Sequence, residues 1–281
     1  MRLLKSVFSL AVTIALVSSY STTSTFADSS KNEPNPEQVV TSYIKAIEDK
    51  NVDAVINLVK DTRYSSLQDL KQEYENMISD NVFIDIKAGN VKTVNESNAE
   101  VQLVAQRNDG LNETDITLPL IKEDGNWKIL ITGQETSREN VVKFSEFKPF
   151  TSSEIRPFSG SIAYYEFSHT KRQSGIGYHY TSYSTSSFDM NGRSVTINGW
   201  QENLGTTSDV SVKYSIVKKN LFGDDVKGDT TLTKRYPKDG TWYSAQISVD
   251  LGDSGISGVY LKTENVSSVR GADGAGNVYQ I

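Results

Sequence analysis

The hydrophobic period of this chain changes once, near Val82, and no helical period returns clearly after it. Before that point apolar residues recur every three to four positions, the spacing of a helix face; after it they recur every second position, the spacing of a strand face. Helices first and strands afterwards exclude an all-helical bundle and an alternating βαβ sheet.

The helical stretch has its own punctuation. Asn35 is placed as an N-cap, Pro36 as N1 and Gln38 as N3, a capping box, ahead of a stripe of Val39, Val40, Tyr43, Ile44 and Ile47. A second helix starts near Asn51 with Val52, Val55, Ile56 and Val59 on one side. Ser66 caps a third, striped by Leu67, Leu70, Tyr74, Met77 and Ile78. Then Val82, Ile84, Ile86 and Ala88 alternate with Phe83, Asp85 and Lys87. Two similar runs follow, Val101–Ala105 and Ile116–Leu120, and Trp127–Ile131 closes the series with Trp127 expected in the core. Asp124-Gly125 is a hairpin signal between the last two strands. Residues 36–133 therefore read as an α+β domain, three helices on one face of an antiparallel meander.

This order, from "PEQVVTSYIKAIEDKNVDAVINLV" to "EDGNWKIL", resembles the NTF2-like superfamily, most of all its secreted bacterial branch of unknown function. The resemblance covers 36–133 alone. It implies a cone-shaped domain, and enzymes of that fold usually place an Asp/His or Asp/Tyr pair inside the cone. No histidine lies between 36 and 133, so the Asp/His form is missing. The resemblance then implies a structural, partner-binding or small-ligand role.

Residues 134–158 lack steady periodicity, contain Pro149 and Pro157, and read as a linker with a short helix around Arg138–Phe147. Residues 159–281 read as an all-β sandwich. The strand candidates are Ile162–Phe167, Tyr178–Tyr183, Val195–Trp200, Val210–Val217, Thr230–Lys234, Trp242–Leu251 and Val259–Thr263, punctuated by Asn191-Gly192 and Asp239-Gly240. The glycine-rich Gly271–Gly276 (GADGAG) reads as a turn.

Arg2 and Lys5, the apolar run Val7–Val17 and the small-residue site ending at Ala27 make 1–27 a secretory signal, with 28–35 a polar leader. There is no cysteine, hence no disulfide, thiol nucleophile or thiolate metal site. Formal charge is −6 and becomes −8 when Arg2 and Lys5 leave. An acidic chain has no general attraction for nucleic acid, and the apolar run is too short to span a membrane. The expected location is extracellular, loosely associated with a bacterial envelope.

Catalytic signals are thin. His169 and His179 lie ten residues apart and read as surface or hairpin histidines rather than metal ligands with Glu166 or Asp189. Asp224, Asp225 and Asp229 lack calcium-loop spacing and read as a solvated acidic turn; Asp250, Asp253, Asp273 and Asn277 are no better placed. Ser182, Ser184 and Ser186 sit in no nucleophile elbow, and no phosphate-cradling or dinucleotide-binding loop is present. No catalytic residue, cofactor or metal is assigned.

The aromatic density is the least ordinary feature. Tyr164, Tyr165, Tyr178, Tyr180 and Tyr183 form the candidate ligand surface, because two successive tyrosines cannot both enter one core. The expectation is a secreted, non-enzymatic binding protein that engages a cell-wall glycan or an extracellular protein. An extracellular hydrolase or isomerase and a secreted toxin or antagonist are the alternatives.

Overall fold

The computed structural model describes residues 34–108, 114–138, 160–169, 181–249, 255–267 and 271–280. The signal segment, most of the leader and most of the linker lie outside them, as do Tyr178, His179, Tyr180, Asp250 and Asp253.

The three helices form where their caps stand. α1 (Pro36–Glu48) opens on the complete Asn35/Gln38 capping box. Asn51 caps α2 (Val52–Leu58) and Ser66 caps α3 (Leu67–Asp80). Between α2 and α3 a short strand, β1 (Val59–Asp61), pairs in parallel with residues Ile129, Leu130 and Ile131. The sheet is completed by β2 (Phe83–Asn95), β3 (Asn98–Arg107), β4 (Thr114–Glu123) and β5 (Asn126–Ile131), in the order β1-β5-β4-β3-β2. Asp124 and Gly125 both take positive φ, as the two-residue β4–β5 turn requires.

Two expectations fail here. The register shifts between Ile84 and Ile86, where Asp85 has φ 48°, so Phe83 and Ile86 enter the core and Ile84 is 40% exposed. A bulge reverses the alternation that the sequence implies. Trp127 is half-buried at the cluster's margin.

The remaining strands make two facing sheets. One has the order β13-β10-β15-β7 and the other β6-β12-β11-β14-β8, with β9 pairing β14. Their members are β6 (Glu135–Arg138), β7 (Ala163–His169), β8 (Thr181–Tyr183), β9 (Phe188–Met190) and β10 (Ser194–Asn203). The others are β11 (Ser211–Asn220), β12 (Gly223–Thr233), β13 (Tyr243–Ser248), β14 (Ile256–Asn265) and β15 (Ala272–Gln280). Val195, Ile197, Tyr214, Ile216, Ile247 and Leu261 meet in one buried cluster between them, so the protein is mostly β with a sandwich core. Residues 135–138, expected in the linker, form β6 and add a parallel edge to β12.

Gly271–Gly276 is not a turn. Its residues from Ala272 onward form β15, hydrogen-bonded between β10 and β7. The glycines leave room for the rings above them and for the neighbouring β10 backbone. Gly274 is opposite Phe167 and Gly276 is opposite Tyr165 in the β7–β15 register. A Cβ at Gly274 would strike the Phe167 ring, and one at Gly276 would strike the Tyr165 hydroxyl and the Asn198 carbonyl. The rings cover the bare backbone. Tyr165 then hydrogen-bonds Tyr243, which donates to Tyr214 at 2.8 Å; Tyr214 donates to Gln201 Oε1 at 2.9 Å. This buried hydroxyl chain satisfies every tyrosine it passes through.

His169 is a core residue, 2% exposed, stacked on Phe167 with 5.0 Å between ring centres and bonded through Nε2 to Thr263 Oγ1 at 3.2 Å. Burial pushes its pKa down to about 4, against the opposing pull of Glu264 and Asp273. Because the folded pKa lies below the unfolded value, the full stability is present above about pH 6.5. It is lost as pH falls toward 4, by about 2–3 kcal/mol from this group. Melting His169→Phe beside wild type from pH 7 to 4.5 is expected to show a smaller acid-side loss in the variant. Parallel curves would refute the assignment.

The β11–β12 hairpin binds the two halves together, within the compact unit that begins at Pro34. Its tip, Leu221–Phe222, belongs to the first core cluster with Tyr43 and Phe83 rather than to the sandwich core. Phe222 meets Phe83 edge-on at 4.7 Å and Tyr43 at 6.2 Å, and the Tyr43 hydroxyl donates to the Leu221 carbonyl at 2.7 Å.

Candidate functional site

Behind that tip, Asp224 and Asp225 enter the protein instead of forming a solvated turn; both are essentially inaccessible. Asp225 accepts both terminal nitrogens of Arg107, at 3.0 and 2.7 Å, as well as Thr136 Oγ1 and Asn220 Nδ2, each at 3.0 Å. Asp224 accepts Tyr183 at 2.6 Å and forms ion pairs with Lys262 at 3.0 Å and Arg63 at 3.2 Å. Burial opposes its charge, but Lys262 and Arg63 outweigh that and hold the carboxyl below its ordinary range.

Arg63 is buried too. Its fork is shared between Asp61 (2.7 Å), Asp224 and the carbonyls of Asn220 and Gly223. Asp61 also accepts Tyr74 at 3.0 Å. These groups form a charged floor joining β1, α3, β12 and β14.

Above the floor opens a cleft of about 720 Å³. The segment Thr62–Ser65 and α3 line one side; β8, Lys219 of β11 and Tyr260 of β14 line the other, with Glu166 at the edge. Lys219 is 8% exposed, and its ammonium lies 3.9, 4.3 and 4.5 Å from the ring centres of Tyr260, Tyr183 and Tyr64. No carboxylate pairs with it among the described residues. Burial, and then repulsion from Arg63, lowers its pKa to about 8, while Asp224, Glu73 and Asp61 pull the other way. The Tyr260 hydroxyl donates to Glu73 at 3.1 Å and Tyr183 to Asp224, whereas the buried Tyr64 hydroxyl has no partner.

The aromatic surface expected from sequence divides. Tyr164 is exposed and contacts Glu166. Tyr165 faces the sandwich core, so it is not a surface residue. Tyr183 is half-buried in the cleft. Glu166 and His169 lie on opposite faces of β7, so they cannot share a metal; among the described residues no cluster of His, Cys, Asp or Glu is suited to one. Lys219, Tyr64 and Tyr260 escaped sequence reasoning. The usable signal was parity, and it misleads: Lys219 lies off the Val212-Tyr214-Ile216 phase, on the face of β11 that alternation treats as solvent, yet that face is covered and Lys219 is buried.

Lys219→Met should stabilise the fold at pH 7 by about 1–3 kcal/mol, because a buried cation without a carboxylate is removed and its aliphatic stem is kept. The lysine's penalty is full below pH 8 and relieved between about 8 and 10.5. The stability gap between variant and wild type should therefore close over that range in urea melts. A less stable variant at pH 7 would show that the three rings outweigh desolvation.

No family model and no curated protein matches the sequence. Among solved structures, a carbohydrate-binding module of the β-sandwich superfamily, described for its promiscuous specificity, is 11% identical. The match covers 69% of this chain and 74% of that one at a TM-score of 0.23, too slight an overlap to place this chain in a family or assign it a ligand.

Proposed function

We propose that this is an exported binding protein that engages a cell-wall glycan in the cleft between α3 and β8. One observation carries the reading: tyrosine rings, hydroxyls and carboxylates converge on a sugar-sized cleft with a buried, unpartnered Tyr64 hydroxyl in its wall. Saccharides offer hydroxyls that pair with such groups and C–H faces that pack on rings. The export reading rests on residues 1–27. The NTF2-like reading of 36–133 is supported by three helices beside a five-stranded sheet.

A second reading, an extracellular hydrolase or isomerase, draws on Lys219, whose amine is partly neutral near physiological pH. Lysine-dependent release of reducing ends from the glycan would decide for it.

The test is retention of the mature protein on purified cell-wall glycan. Thr185→Trp, exposed at the cleft edge, should abolish retention with an unchanged melting temperature. Tyr164→Ala, on the outer sheet face, should retain it. Equal retention of wild type and Thr185→Trp would move the site elsewhere.

A further inference from the structure

We infer that the ligand presents a carboxylate to Lys219 and Tyr64, so the saccharide taken by the cleft is an acidic one; this rests on reading the cleft as a glycan site. The buried charges of the floor do not cancel. Asp61 and Asp224 are two anions, and Arg63, Lys262 and Lys219 are three cations, all nearly or fully inaccessible. Arg63 and Lys262 consume the two carboxylates through direct ion pairs. Lys219 is left with three rings, which attract an ammonium but offer it no hydrogen-bond acceptor.

A buried cation is costly until an anion meets it. The nearest half-buried carboxylate, Glu73, is engaged by the Tyr260 hydroxyl. Asp69 is exposed on α3 and Glu166 on β7, both at the cleft's edge. The buried charge that lines the opening without an ion-pair partner among the described residues is therefore Lys219. Tyr64, on the facing side of the cleft, supplies a second donor, its hydroxyl buried and unpartnered. Two donors with no acceptor among the described residues match in number the two oxygens of one carboxylate. The acidic edge disfavours a densely charged polyanion and tolerates one carboxylate flanked by hydroxyls, as on a uronic acid or a lactyl-substituted amino sugar.

The experiment compares retention on purified wall glycan with retention on the same glycan after carbodiimide amidation of its carboxyls. Wild type should bind the amidated glycan about tenfold more weakly, the scale of one lost charge-assisted hydrogen-bonded pair. Lys219→Met, checked as folded by its melting curve, should bind both glycans equally at the weaker level, and Tyr64→Phe should fall between. Equal binding of wild type to native and amidated glycan, with native binding intact, overturns the inference and leaves the glycan reading standing. No retention on native glycan overturns both. Loss of binding when peptide stems are stripped from the glycan would assign the carboxylate to a peptide and overturn the saccharide.

Discussion

Arg63→Met is expected to be the most damaging single side-chain truncation in the molecule, costing about 3–5 kcal/mol. The guanidinium touches Asp61, Asp224 and two backbone carbonyls of the β11–β12 hairpin, all away from solvent. Its removal leaves two buried carboxylates with one remaining ion-pair partner, Lys262, which reaches Asp224 but not Asp61 among the described contacts. Against a typical total stability of about 5–15 kcal/mol, that is a large share. Arg63→Lys should recover little, because a point charge cannot replace a planar fork serving four acceptors. Urea melts read the result; a loss under about 1 kcal/mol for Arg63→Met would mean that water or another cation replaces it.

The same contacts bear on how the halves behave apart. A fragment ending near Gly133 would keep Arg63 and Arg107 but lose Asp224 and Asp225, and would lose Phe222 from beside Tyr43 and Phe83. The side chains of Leu221 and Phe222 and two ion pairs, one shared and one bidentate, leave its core at once. Cooperative unfolding of 36–133 with the sandwich is the expected result.

What the sequence disclosed was local in origin. Asn35, Asn51 and Ser66 cap the helices that their positions imply, since a cap needs only the next three residues. Asp124-Gly125 turns because two positive φ angles are cheap there. What it hid depends on distant partners. Asp224-Asp225 looks like a turn unless Arg63 and Arg107, more than a hundred positions earlier, are known to meet it. His169 reads as surface because a lone histidine gives no sign of Thr263 behind it. The candidate site is almost wholly of this second kind: of the tyrosines singled out beforehand, Tyr183 lines the cleft, while Lys219, Tyr64 and Tyr260 come from other elements.

Gly276→Ala, a change of one methyl group, should cost about 3 kcal/mol, with Gly276→Val preventing folding of the sandwich. The added Cβ would lie under 3.0 Å from the Asn198 carbonyl oxygen, the Tyr165 hydroxyl and the Gly199 Cα. Two of those atoms are backbone of β10, already fixed by its ladder to β15. The third is tied to Tyr243 and cannot swing away without leaving a buried hydroxyl unpaired. Gly160→Ala is the matched control, since nothing lies within 4 Å of its added carbon, and it should change stability little. A double-mutant cycle separates the two clashes. Tyr165→Phe removes the hydroxyl but not the Asn198 carbonyl, so combined with Gly276→Ala it should recover part of the loss, a coupling of at least about 0.5 kcal/mol. Strict additivity would show that the strand, rather than the ring lying across it, demands glycine at this position.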